Sequence, residues 1–219
     1  MAKIILYKMT HDTGFAPNPD HGFMTLATCV PHIRRSLNTN VGDWLGGIVS
    51  LTLAEKLGKP EQAGRLVYLM CISEKMPMMD YAKDARFSIK KPTVTYLTGD
   101  NIYTFQETAQ RAYSITQSSP FHKSWQAMYH DLGGRNVLVS DDFYYFGKDP
   151  LEVPITLKED QCWLYIENLE ASRLLEFVQK NGAKIHNKPN KPLEDLTLHN
   201  GMSCCCFTCN GECADDCGC

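Results

Sequence analysis

The sequence predicts an α+β domain built on a bent, barrel-like mixed sheet with short helices, followed by a Cys-rich C-terminal tail. Three observations lead there. Apolar β-type runs are separated by turns and short helices, not by the long regular crossover helices of a doubly wound sheet. No GxGxxG, P-loop, GxSxG or HExxH pattern occurs, so the familiar cofactor and hydrolase classes lose weight. Seven of the ten cysteines fall in the last sixteen residues.

Taken in order, Lys3 to Met9 reads as a first strand around an apolar centre. The loop that follows crowds Asp12, Gly14, Pro17, Asn18, Pro19, His21 and Gly22 between two apolar runs, with Phe15 and Phe23 among the turns. Such a loop should fold back, pack and face a ligand. Thr25 to Cys29 is a short extended piece, and Pro31 can open a short helix over His32 to Leu37. Gly42-Asp43 turns into a β-type run from Trp44 to Leu53, where Gly46 and Gly47 suggest a bulge or a close backbone approach. Arg65 to Glu74 is the clearest strand, central and buried on both faces. A short helix is expected over Pro77 to Arg86, a turn at 99–101 before Ile102 to Phe105, and a strand over Asn136 to Ser140. Asn168 to Lys180 carries apolar residues at helical spacing and stops at Asn181-Gly182. The expected division is a domain over residues 1–182, a linker or surface wrap over 183–203, and the tail over 204–219.

The chain has 219 residues, 43% hydrophobic and 21% charged, as an ordinary globular protein does. A net charge of −3 argues against strong nonspecific duplex binding and leaves weak nucleic-acid binding at most, though a pocket for one base remains open. No apolar run approaches the ~18 residues of a membrane span. The early apolar run, Ile4 to Tyr7, is too short for a signal peptide, so a cytoplasmic protein is expected.

Several segments carry a resemblance. HDTGFAPNP at 11–19, TLATC at 25–29 with Pro31, Ile33 and Arg34, GDW at 42–44, GDNIY at 99–103, Ser119 with His122, and VLVSDDFYYFG at 137–147 together resemble a nucleotide modification associated domain of the second type. The match runs from residue 3 to roughly 160 and leaves out the tail. It departs at Val30, where the pattern has Lys before the proline, and so removes a cationic partner for phosphate. The resemblance implies work alongside systems that modify or sense nucleic-acid bases, often in phage and defence settings. By more distant analogy, the order of strand, helix, Gly-Asp turn and strand is similar to PUA, EVE and ASCH pseudo-barrels, several of which hold a modified base.

Candidate site residues follow. Asp12 and His122 are acid/base candidates, with Asp100 as a second carboxylate. Asn18 and Asn101 offer donor and acceptor to a base edge, although Asn18, between prolines, suits local backbone bonding better. Arg34, which the resemblance places in a motif, offers a fork for phosphate or a base oxygen. Trp44 either stacks a base or fills the core, and Ser140 and Tyr145 complete a polar rim. In the tail, Cys206, Cys209, Cys213 and Cys217 have spacings that can wrap one zinc ion or contribute to an iron–sulfur centre. The expected function is binding or processing of a nucleotide or modified base in a pocket walled by the 12–22 loop, Arg34, Asp100, Asn101 and His122. A non-catalytic reader of the same ligand and a metal-binding interaction protein are the alternatives, and no protein partner is indicated.

Overall fold

The computed structural model describes residues 3–108, 113–119, 121–155, 157–158 and 161–195. In chain order the elements are β1 (Lys3–Met9), β2 (Met24–Leu26), α1 (Pro31–Arg35), β3 (Trp44–Val49), α2 (Leu51–Lys56), β4 (Leu66–Cys71), β5 (Glu74–Pro77), α3 (Met78–Lys83), β6 (Tyr103–Glu107), β7 (Tyr113–Gln117), α4 (Trp125–Leu132), β8 (Asn136–Ser140), β9 (Asp142–Tyr145), β10 (Trp163–Glu167) and α5 (Asn168–Gly182). A five-stranded sheet has the order β10-β1-β3-β4-β9, a three-stranded sheet β2-β8-β5, and β6-β7 form a ribbon. β1 and β3 run parallel, and the other pairs are antiparallel.

The two larger sheets are joined at one corner. β4 and β5 run against β9 and β8, with Cys71 opposite Asp142 on one side of the bend and Glu74 opposite Val139 on the other. The Ser140 hydroxyl holds the corner: it donates to the Asp142 carbonyl at 2.8 Å and accepts the Asp142 N–H at 3.2 Å. Strands that switch sheets at a bend make a corner without closing a barrel. The expected mixed, bent sheet with short helices is therefore present, but it is two sheets and a ribbon with no closed barrel among the described residues.

Alternation along β1 divides the interior. Ile5, Tyr7 and Met9 face a core shared with Met24, Leu26, Met70, Phe143 and Tyr145. Ile4 and Leu6 face the opposite core beneath Ala171, Leu174 and Val178 of α5. β8 divides space in the same way, with Leu138 in the first core. Val137 and Val139 lie in a third core with Phe15, Tyr81, Phe87, Tyr103 and Met128. Leu66 to Met70 of β4 are fully buried between β3 and β9, as the apolar run predicts.

The run from Trp44 to Leu53 is not all strand. It ends at Val49, where the Ser50 hydroxyl accepts the Leu53 N–H at 3.0 Å and starts α2. An N-cap serine outweighs the β-branched composition before it. The chain from 183 to 195 lies along β9, the edge of the five-stranded sheet: Asn187 N–H donates to the Phe143 carbonyl and Asn190 N–H to the Tyr145 carbonyl. Backbone groups at an exposed edge are thus paired. No helix among the described residues is long and apolar enough to cross a membrane.

Gly46 and Gly47 mark both a register shift and a close approach. A Cβ at Gly46 would stand 2.9 Å from the Tyr68 carbonyl oxygen, which backbone pairing prevents from moving. Gly46→Ala should therefore destabilise the protein by ~1–3 kcal/mol, as overpacking does. Urea unfolding measures this, and a wild-type midpoint would contradict the close approach.

Candidate functional site

Among the described residues, three buried polar clusters gather most of the candidate residues. The first is centred on Asp131 of α4. Its Oδ2 accepts from Tyr103 Oη at 2.7 Å and lies 2.5 Å from His122 Nδ1, while Oδ1 accepts the Cys29 N–H at 2.8 Å. On the far side of the imidazole, Nε2 lies 3.8 Å from Cys29 Sγ. Arg34 is fully buried and clamps this group through carbonyls: Nε donates to Cys29 O at 2.7 Å, Nη2 to Asp131 O at 2.6 Å and Nη1 to Asn136 O at 2.8 Å. Its guanidinium packs against Gly134, where a Cβ would collide with Cζ and both terminal nitrogens.

The local chain is shaped for this. Cys29 and Val30 both have positive φ, 56° and 34°, immediately before Pro31 opens α1. A left-handed conformation at a β-branched residue stores strain, which surrounding contacts must hold. The Ser119 hydroxyl accepts the N–H groups of Phe121 and His122, and the Phe15 ring meets the imidazole edge-on at 4.9 Å. Burial alone would lower the His122 pKa; the Asp131 carboxylate and the Cys29 sulfur override it and raise it well above its ordinary value. Burial would raise the Asp131 pKa, but His122 pulls it below the usual carboxylate range, with His130 and Arg34 helping.

The second cluster ties the 12–22 loop to the segment from 84 to 101. Lys90 is fully buried and donates to Asn18 Oδ1 at 2.5 Å and to the carbonyls of Asn18 and Phe23. Asn18 Nδ2 donates to the carbonyls of Gly14 and Thr98 and to Tyr96 Oη. Burial lowers the Lys90 pKa to about 8, against Asp100 and Asp20. Asp100 accepts from Thr25 Oγ1 at 2.6 Å and Tyr81 Oη at 2.7 Å, and burial raises its pKa. Asn101 Nδ2 donates to the Phe87 carbonyl at 3.0 Å.

In the third cluster Asp12 accepts from Tyr145 Oη at 2.5 Å and from the Leu193 N–H at 2.9 Å. Burial lifts its pKa to about 6 despite these donors. Glu194 accepts the Asp12 N–H at 2.8 Å and pairs with Lys56 at 2.6 Å and His11 at 3.3 Å.

Arg34 and His122 thus meet at one centre. Asn18, Asp100 and Asn101 meet at another, and Asp12 and Tyr145 at a third. Ser140 works at the sheet corner. Trp44 is buried and stacked on Tyr144 with ring centroids 6.5 Å apart. Sequence reasoning passed over Cys29 and Asp131. Cys29 stood inside the TLATC segment, and its place two residues before Pro31 was the available signal. Asp131 sits on an unremarkable helix and gave none.

Cys29 also lines a narrow cleft with Tyr7, Met9, His11 and Ala16. In this conformation the cleft has room for about one water molecule. One donor atom from each of Cys29, His122 and Asp131 lies within 4.8 Å of the others, so by residue type the set could hold a metal ion. Orientation favours a proton relay, because sulfur and carboxylate sit at opposite ring nitrogens and both carboxylate oxygens already accept hydrogen bonds. Cys206, Cys209, Cys213 and Cys217, with any zinc or iron–sulfur group on them, lie outside the described residues.

The raised Asp12 pKa has a stability consequence. Folded Asp12 keeps its proton to about pH 6, whereas an unfolded aspartate releases it near 3.8. The folded state binds more protons in that window, so this group lowers stability as pH rises through it, by on the order of 3 kcal/mol. Asp12→Asn should flatten that part of the profile in urea titrations between about pH 4 and pH 6, leaving what Asp100 contributes. An identical slope in both proteins would refute the assignment.

Among the comparisons with known proteins, a family model described as nucleotide modification associated domain 2 matches residues 1–194. No curated protein and no solved structure matches.

Proposed function

The chain belongs to the nucleotide modification associated domain 2 family, and from that premise we propose that it processes a nucleotide or a modified nucleic-acid base, with Cys29 as the reactive group. The observation that carries this reading is the row Cys29 Sγ–His122 Nε2, His122 Nδ1–Asp131 Oδ2. A cysteine facing an imidazole that is oriented by a carboxylate is the arrangement of an activated sulfur nucleophile. The imidazolium stabilises the thiolate, and Asp131 fixes the ring and its charge.

Such a thiolate adds to an electron-poor carbon of a base or of its substituent. The C–S bond forms, the π electrons move to the adjoining oxygen or nitrogen, and His122 Nε2–H protonates that atom. Reversal of these steps restores both the thiolate and the base, so the addition is a transient covalent activation of the base and not itself a net change in it. The narrow cleft must widen to admit a planar base, and the irregular loop that carries Ala16 is its mobile wall in this proposal. A reader of modified bases would need the pocket but not this row of groups.

The pH profile of alkylation tests the nucleophile, with Cys71 as internal control. Cys71 is a free thiol whose pKa is raised by burial and by Asp142, Asp141 and Asp43. With iodoacetamide, the Cys29 rate should hold as pH falls through 7, and His122→Asn should restore the decline of an ordinary thiol of pKa ~8.5. Mononucleotides should slow labelling of Cys29 and leave Cys71 unchanged. A wild-type profile at Cys29 like that of an ordinary thiol, or no protection by any mononucleotide, would defeat the proposal.

A further inference from the structure

α1 packs beside α4, and its His32 ring meets Trp163 of β10; these three neighbouring elements carry aromatic rings and cations that no core requires. Helix α4 buries Ala127, Met128 and Asp131 and turns Trp125 and Tyr129 outward, at 69% and 74% exposure. They stand one helical turn apart, so both rings present on one side. Trp163, 44% exposed on the edge strand β10, packs against the His32 ring of α1 with centroids 5.2 Å apart. Large aromatics left in solvent on adjacent elements mark a binding surface more often than isolated apolar residues do.

On α1 and α4 the exposed charge has one sign, and β10 adds the exposed Glu167 at the end away from Trp163. In residues 31–36 and 121–136 the only carboxylate is Asp131, and it is buried, whereas Arg35, Lys123 and Arg135 are exposed. The surface potential registers on His32: burial first, then Arg35, His130 and Arg34, depress its pKa to about 4. His32 is therefore a neutral flat ring at pH 7, suited to stacking.

This face is continuous with the reactive centre. Val30 lines the cleft beside Cys29 and is two residues from His32. Tyr7, another cleft residue, is the register partner of Trp163. α4 holds Asp131 on its inner side and the two exposed aromatics on its outer side.

We propose that this aromatic and basic track binds single-stranded nucleic acid, so that the base processed at Cys29 is one residue of a strand whose neighbours stack on Trp163, Tyr129 and Trp125. The inference rests on the functional reading above and adds the substrate class to it. Stacking rings accompanied by cations are how sequence-tolerant single-strand binding is built. A duplex hides its base faces and would gain only the phosphate contacts, which a protein of net charge −3 exploits poorly.

Fluorescence anisotropy of the full chain with labelled 12-residue oligo(dT), oligo(rU) and a matched duplex tests this. The expected result is binding of one or both single strands well above the duplex, weakening with salt. Trp125→Ala, Tyr129→Ala and Trp163→Ala should each weaken it roughly fivefold or more. Arg35→Gln should reduce the log–log salt slope by about 0.7. The DNA and RNA arms decide which strand is the ligand. Duplex bound as tightly as single strand, or aromatic variants that bind as wild type, would overturn the proposal. These substitutions lie on the surface, so the Cys29 alkylation profile should be unchanged in each. That profile separates the two ideas: its persistence while strand binding is absent removes the track alone, and its failure in the wild type removes the nucleophile.

Discussion

The buried carboxylate of Asp131 is the group on which the centre of this fold depends. It is sealed from water, and its oxygens take a backbone N–H from Cys29, a hydroxyl from Tyr103 and the Nδ1 face of His122. An isolated buried carboxylate would be prohibitively costly, so its partners are a condition of folding. Those partners come from the loop before α1, from β6 and from the segment before α4. One charge therefore pins three parts of the chain that lie far apart in sequence. The same contacts fix the rotation of the imidazole and place Nε2 against sulfur.

Arg34 completes the arrangement by a different route. An Arg at a candidate site is expected to meet an anion, yet this one spends its donors on three carbonyls. The fork geometry of guanidinium suits that task as well as it suits phosphate. It acts as a clamp on the left-handed turn at Cys29 and Val30, and Gly134 gives it room. Asn18, Asp100 and Lys90 follow the same logic in the second cluster. Their polarity satisfies buried groups and binds the 12–22 loop to the chain near residue 100.

What was legible in the sequence follows from these physical differences. Period and punctuation exposed β1, β4, β8, α1 and α5, because a two-residue or 3.6-residue apolar pattern is local. The Gly46-Gly47 close approach was legible too, since only glycine permits it. The strand-to-helix change at Ser50 was harder, because one hydroxyl decides it against an apolar background. Joining of two sheets at Ser140 was not legible, as it depends on pairing between distant runs. The site divides in the same way. His122 and Arg34 stood out by residue type, and the GDNIY segment was noticed for Asp100 and Asn101. Its Tyr103 is the member that reaches Asp131. A carboxylate on a helix with no motif becomes visible only when the chain around it is folded.

Position 30 links the centre to its surroundings. The resemblance leads one to expect a lysine there, and the chain has valine, buried in the first core and lining the cleft beside Cys29. The cleft thus lacks the cation that would hold a phosphate next to the sulfur. Lys56, the nearest alternative on α2, is already paired with Glu194, which also holds His11 of the cleft wall. On the proposed reading, the group entering this space is the uncharged part of a nucleotide, with its phosphates left outside. The exposed cations Arg35 and Lys123 lie outside, at the ends of the helices α1 and α4 that carry His32 and the exposed rings of Trp125 and Tyr129. In the proposed complex, separation of a sulfur-bearing cleft from an external basic surface would divide the ligand in the way a polynucleotide itself is divided, base from backbone.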